Sequence, residues 1–277
     1  VSAAWAWLRR NALLVYAAIA VVYMLLPIIV IALFSFDQTS GGKLDYTWSG
    51  LTFDYWRDAF ADESVNEAMI TSLQIAALAT IVSTAIGTLM ALALVRHSFR
   101  GRGVSNLLII LPMATPEIVI GAALLSMFLI YGIELGFTTL FIAHVMFSIS
   151  FVVVVVRSRL IGFDRSLEEA AADLGAPPLT TFRTVTLPLL GPGIMAAALL
   201  AFALSIDDFV ISNFNSGTTE TFPLYIFGVS LRGIPVQVNV LATMLFLVTV
   251  VAIALVLWQQ RHAERMAAVR PDPEPAL

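Results

Sequence analysis

The fold class this sequence predicts is an all-α integral membrane protein with six spanning helices, and three observations predict it. Of its 277 residues, 59% are hydrophobic and 12% charged, against roughly 45–50% and about 25% in soluble domains. Six stretches reach the ~20 mostly apolar residues a bilayer crossing needs. Short alternating segments of about 10 residues, the mark of a membrane barrel, are absent. The same composition excludes several functions. There is no cysteine, hence no disulfide framework, thiolate zinc site or iron–sulfur cluster. His97, His144 and His262 are too scattered to suggest a metal site, and a net charge of −4 gives no reason to expect nucleic acid.

The first span, Leu13–Phe36, is too long for a signal-peptide core and lacks a following small-residue cleavage site, so it is expected to be retained. The outer loop 37–67 carries Tyr46, Trp48, Phe53, Tyr55, Trp56 and Phe60, rings suited to the headgroup level. Thr52 is placed to cap a short helix there. The second span is Ala68–Val95. The third, Ser105–Tyr131, contains Pro112 and Pro116, which should kink it and free carbonyls. The fourth, Phe137–Val156, ends in a β-branched run, but lipid and its length decide for helix. The fifth and sixth are Leu189–Ile211 and Val238–Trp258, with Pro188 and Pro192 fitting the start of the fifth. Residues 1–270 are expected to form one membrane domain, and the proline-rich 271–277 a disordered tail.

Charge sets the orientation. Twelve arginines lie on one side of these spans: Arg9, Arg10, Arg96, Arg100, Arg102, Arg157, Arg159, Arg165, Arg183, Arg261, Arg265 and Arg270. Lys43, Arg57 and Arg232 lie on the other. The positive-inside rule therefore places both termini in the cytoplasm. No Gly-rich nucleotide loop occurs, so this chain cannot hydrolyse ATP alone.

The inner loop 157–188 is the most informative stretch. Ser166-Leu167-Glu168-Glu169 reads as a capping box. A short helix through Leu174 should follow, with Gly175 as a left-handed stop and Pro177-Pro178 preventing continuation. Glu169, Ala170, Ala171, Gly175, Val185, Leu187 and Pro188, at their spacing, resemble the EAA motif of permease subunits of binding-protein-dependent ABC importers; Val185 stands where Ile is commoner. The resemblance implies a type I importer permease fold in which this helix docks in a groove of an ATPase subunit. It also implies an ATPase dimer, a second related permease, an extracytoplasmic substrate-binding protein and the lipid bilayer as partners. ATP and magnesium would sit on the ATPase, leaving this chain with no cofactor, metal or catalytic residue.

Leu51–Trp56, Leu111–Gly121, Ser205–Ser212 and Phe222–Phe227 further resemble C-type permeases of spermidine/putrescine importers. Relatives in that group carry thiamine, ferric iron or opines, and those cargoes stay open. Glu117, Asp207 and Asp208 are the only charges inside the expected spans. Each costs about 2.5–3.5 kcal/mol near a helix centre, and no basic residue shares a span with them. They are candidates for a path that compensates a polycationic amine, with Phe209 and Tyr225 as candidate aromatic faces. On a helix the adjacent aspartates diverge by about 100°, so one faces the path while the other caps or hydrogen-bonds. The competing reading places both at the outer end of the fifth span, near water, and an arginine of another subunit could pair with Glu117. His144 reads as a hydrogen-bonded packing residue. A stand-alone ion-coupled transporter would use these acids as ion sites, but no inverted repeat is evident. A membrane enzyme would need a nucleophile or dyad, and none is found.

Overall fold

The computed structural model describes residues 10–39, 41–45 and 47–268. Arg9, Tyr46, Arg270 and the tail 271–277 lie outside the described residues. Among the described residues twelve α-helices follow in order: α1 (Ala12–Phe34), α2 (Asp54–Arg57), α3 (Glu63–Arg96), α4 (Arg102–Ala114), α5 (Glu117–Ile130), α6 (Phe137–Ile161), α7 (Ser166–Asp173), α8 (Pro178–Thr181), α9 (Leu187–Ile206), α10 (Val210–Asn215), α11 (Phe222–Ser230) and α12 (Val236–Ala268). A π-helical turn, Phe182–Thr186, joins α8 to α9. Among the described residues there is no strand, only two isolated bridges, Asp37 to Leu51 and Lys43 to Pro235.

α1, α3, α6 and the continuous rod Pro178–Ile206 are long and apolar enough to cross a bilayer. α12 carries a shorter apolar stretch, Val236–Val251. The expected third span is not one straight crossing. It breaks into α4 and α5, bent by 111°. The cause is Pro116: a residue before proline is pushed out of the helical region, and Thr115 adopts φ −88, ψ 134. The expected fifth span is also revised. It begins earlier, at Pro178, so Pro188 lies within the rod and Pro192 lies inside α9. Pro188 has no N–H for the Thr184 carbonyl and its ring crowds that position. The wider π turn directly before it accommodates the misfit. At its other end the helix stops at Ile206, five residues short of the expected Ile211.

By contacts the chain divides into two compact units. One comprises the segments up to Glu63 and from Val229. In it α1 and α12 pack together, and no residue of α1 is buried within the chain. Its loop is tied by Asp37, fully buried, which accepts the amides of Ser49 (2.8 Å) and Gly50 (3.2 Å). Trp56 stacks on Phe36 at 4.9 Å. Thr52 acts locally, accepting the Asp54 amide at 3.2 Å as α2 begins.

The other unit, Ser64–Gly228, holds the candidate sites. Ala91, Leu94, Val152, Val153, Val156, Leu190, Ala197 and Ala201 knit α3, α6 and α9. Ile120, Leu124, Phe128, Ala143, Phe147 and Ile211 knit α5, α6 and α10. Lipid removes the hydrophobic drive between helices, so close van der Waals approach holds such contacts. Gly87 illustrates it: a Cβ there would sit 2.6 Å from Val152 Cγ1.

Candidate functional site

Two regions, one around α7 and one around the break between α9 and α10, hold most of the candidate residues. The first is α7. Its stop matches the expectation. Gly175 has φ +81, its amide reaches Ala172 O at 2.8 Å, and the Ala176 amide reaches Ala171 O at 3.0 Å. These two bonds form a Schellman motif, which satisfies carbonyls the helix end would otherwise strand.

The start of α7 differs from the expected capping box. Ser166 is the first helical residue, and its amide donates to Asp164 Oδ1 at 3.0 Å. That bond holds the Asp164 carboxyl below the usual range. Glu168 turns away from the helix end altogether. It meets Arg96, the last residue of α3, at 2.5 Å, and accepts a hydrogen bond from Thr186 Oγ1. A cleft of about 240 Å3 beside this pair is lined by Arg96, Glu168, Ala172, Ala176, Phe182 and Thr186. α7 is thus anchored from one side, while Glu169, Ala170 and Gly175 stay exposed and Ala171 half-buried. Leu174 is 90% exposed. Leu187 and Pro188 also lie exposed. Sequence reasoning missed Arg96 and Glu168 because their pairing spans 72 residues.

The second is the break Asp207–Phe209 between α9 and α10. Asp207 and Asp208 do not share a continuous helix as expected. Asp208 is 8% exposed and lies just before α10. Its carboxylate accepts the amides of Ile211 (3.3 Å) and Ser212 (2.8 Å) and the Ser212 hydroxyl (2.9 Å). It therefore sits at the positive end of α10, where a carboxylate is favoured. Asp207 closes α9, at the negative end, and is exposed. Glu117 opens α5 and is likewise exposed. The three carboxylates come within electrostatic reach of one another although 90 residues separate them in sequence. Among the described residues no basic side chain forms an ion pair with Glu117 or Asp207.

The aromatic candidates separate. Phe209 packs against Phe227 with ring centroids 4.8 Å apart. Phe227 is 64% exposed, whereas Tyr225 is buried at 7%. The open ring beside Phe209 is therefore Phe227, which sequence reasoning did not single out. His144 on α6 is buried at 2% and bonds Ser205 Oγ (2.7 Å) and Ser212 Oγ (3.0 Å), in keeping with the packing role expected of it. No group of three or more metal-ligating side chains occurs among the described residues.

Comparison with known proteins bears on both regions. Residues 83–267 match the family described as binding-protein-dependent transport system inner membrane component. The spermidine/putrescine transport system permease protein PotC of Haemophilus influenzae is 37% identical over 249 residues, covering 89% of this chain and 94% of the relative. PotC of Escherichia coli is 38% identical over 232 residues, covering 83% and 87%. The putrescine transport system permease protein PotI of Escherichia coli is 36% identical over 231 residues, covering 80% and 81%. Among solved structures, a bacterial ABC transporter involved in import of the acidic polysaccharide alginate superposes with a TM-score of 0.62 at 16% identity, covering 95% of this chain and 99% of that one. Its likeness bears on the fold alone. An all-helical, multi-pass chain with this match over most of its length belongs to the family of binding-protein-dependent transport system inner membrane components, the permease subunits of ABC importers.

Proposed function

We propose that this chain forms one half of the translocation path of an ATP-driven importer of polyamines. The observation that carries the cargo is the 37% identity, over 249 residues, to a spermidine/putrescine permease. The chemistry of the break supports it. Glu117 and Asp207 present two exposed carboxylates with no basic partner among the described residues. Asp207 lies against the negative end of α9, where a bound cation relieves the repulsion. A substrate with several ammonium groups supplies that charge, and the exposed face of Phe227 beside Phe209 adds a cation–π surface. Asp208, held by the Ile211 and Ser212 amides and the Ser212 hydroxyl, orders the break.

α7 docks by its exposed Glu169, Ala170, Ala171 and Gly175 in a groove of an ATPase, two copies of which bind ATP and magnesium. Small side chains allow the backbones to approach closely. Leu187 and Pro188 carry the motion into α9. A second, related permease completes the path, an extracytoplasmic binding protein delivers the substrate, and both termini face the cytoplasm. Closure of the ATPases on ATP drives rigid-body switching between inward- and outward-open states.

The test is uptake by the assembled importer at matched membrane abundance. Glu117→Gln and Asp207→Asn keep shape and remove charge. Each should lower spermidine uptake by about 5- to 150-fold, the scale of one charge-assisted hydrogen bond of 1–3 kcal/mol, with a smaller loss for the less charged putrescine. Wild-type uptake of both amines in the double variant would remove the cation path, and no uptake of either amine by the unaltered importer would shift the cargo toward thiamine, iron or an opine.

A further inference from the structure

The buried chain Ser205–His144–Ser212–Asp208 has no role in docking or in contacting a substrate, yet it joins α6, α9 and α10 at the break. The donors can be assigned by elimination. The Ser212 hydroxyl donates to Asp208 Oδ2 at 2.9 Å, which leaves its oxygen to accept from His144 Nε2–H at 3.0 Å. In a neutral imidazole, Nδ1 is then an acceptor, and it takes the Ser205 hydroxyl at 2.7 Å. Three hydrogen bonds therefore run one way, from the last turn of α9, through a ring on α6, to the carboxylate that starts α10. His144 Nε2 itself lies 3.5 Å from Asp208 Oδ2, too far to replace the serine.

The place of this chain is informative. The break falls in Ser205–Ser212, which contains neither glycine nor proline, so no local backbone preference ends α9 at Ile206. What holds the break open is Asp208 taking the α10 amides, and what holds Asp208 is Ser212 with His144 behind it. With Asp208 drawn inward, the neighbouring Asp207 and Phe209 are left toward the open side, Asp207 exposed and Phe209 against Phe227.

We infer that His144 is a positioning residue for transport: through Ser212 it locks the break that presents Asp207 and Phe209 to the substrate. The inference rests on the polyamine path proposed above. His144 touches no substrate. It acts by denying α9 and α10 the alternative of fusing into one helix, which would swing Asp207 away from Glu117.

The experiment uses the complete importer in liposomes with spermidine and putrescine as substrates. Two ratios are read, spermidine imported per ATP hydrolysed and spermidine against putrescine uptake. Neither depends on how much complex has folded, so a merely structural defect leaves both unchanged. His144→Leu keeps bulk and deletes both bonds. It should lower each ratio about fivefold or more, the effect of one buried hydrogen bond. His144→Gln places an amide N–H near the Nε2 position and should keep both ratios within about twofold of wild type. His144→Asn is too short to reach Ser212 and should fall with the leucine variant. If the leucine variant does not assemble, the amide pair decides: glutamine must exceed asparagine, and equality or the reverse order overturns the inference. Wild-type ratios in His144→Leu with lowered ratios in Asp207→Asn would overturn the positioning role and leave the cation path standing. Wild-type ratios in both would overturn the two together.

Discussion

α7 and α10 solve one problem in opposite surroundings. Each is a short helix preceded by an aspartate that accepts backbone N–H, one amide at α7 and two at α10. At α7 the aspartate, Asp164, is fully exposed, the stop is a glycine, and few side chains tie the helix to the rest of the unit, chiefly the partly buried pair Arg96–Glu168 with Thr186. At α10 the aspartate is buried, no glycine or proline marks the break, and hydrogen bonds within the unit join the packing of Ile211 against α5 and α6. Water satisfies the polar groups of an exposed helix cheaply, so α7 spends few side chains on its fold and leaves its alanines open. A buried break cannot lean on water, and each donor there needs a partner inside the protein.

The largest expected effect follows from that difference. Asp208→Ala strands two amides, the Ser212 hydroxyl and, behind it, His144. It should cost about 3 kcal/mol or more, since charged acceptors contribute roughly 1.5–3 kcal/mol per bond. Thermal unfolding of the purified complex should show a clear loss, whereas Asp207→Ala, one residue away and exposed, should leave the midpoint close to wild type. Equal loss in both would erase the distinction between the two aspartates.

Next in size is Gly175→Val. A Cβ at Gly175 meets nothing within 4 Å, so the whole effect is backbone: φ +81 costs a branched residue about 1–2 kcal/mol. The helix stop should shift, with faster proteolysis of the loop 157–188 and lost transport, while the chain still inserts. Ala171 to a bulky residue should give lost transport without the proteolysis, because it changes the docking face and not the stop.

These two sites also mark how far the sequence could be read. The helix at α7 and its stop were legible, because Ala-rich residues, Gly175 and Pro177-Pro178 act within a few positions of one another. Its start was misread: Ser166 and Glu169 have capping-box spacing, but Asp164 takes the first amide and Glu168 is drawn to Arg96, a tertiary partner that no local pattern reveals. The kink near Pro116 was legible, its 111° extent was not. The break at Asp207 was hidden, since Ser205–Ser212 reads as an apolar run interrupted by two acids. One signal was available: a carboxylate is favoured beside the free N–H groups of a helix start. The meeting of Glu117 with the aspartates depends on packing of α5 against α10, which is long-range and carries no sequence mark.

A smaller effect is expected at the anchor of α7. Glu168→Gln keeps an acceptor for Thr186 and removes the charge opposite Arg96. The side chains are 25% and 17% exposed, so the pair contributes about 1 kcal/mol or less. Substrate-stimulated ATPase of the wild-type importer should decline as salt rises, and the variant should start lower and respond less. A variant as salt-sensitive as wild type would show that the pair does not tether α7.

The smallest effect belongs to Asp164, and its smallness is what sharpens the comparison with Asp208. Its carboxyl is held below the ordinary value of 3.8 by the Ser166 amide and hydroxyl. A depressed folded value means that the ionised form favours the ordered helix start. That contribution is present above the unfolded value and is lost as pH falls through the folded one. Exchange of the Ser166 amide should therefore be slow and pH-independent, after correction for intrinsic rates, from neutrality down to the ordinary carboxyl range. Protection should decline only on further acidification. Asp164→Asn should remove that acid transition and leave the thermal midpoint and transport unchanged at neutral pH, because the asparagine Oδ1 still accepts the Ser166 amide. A transport loss rivalling that of Asp208→Ala would mean that exposure does not separate the two aspartates, and that the start of α7 depends on its cap as strictly as the buried break does.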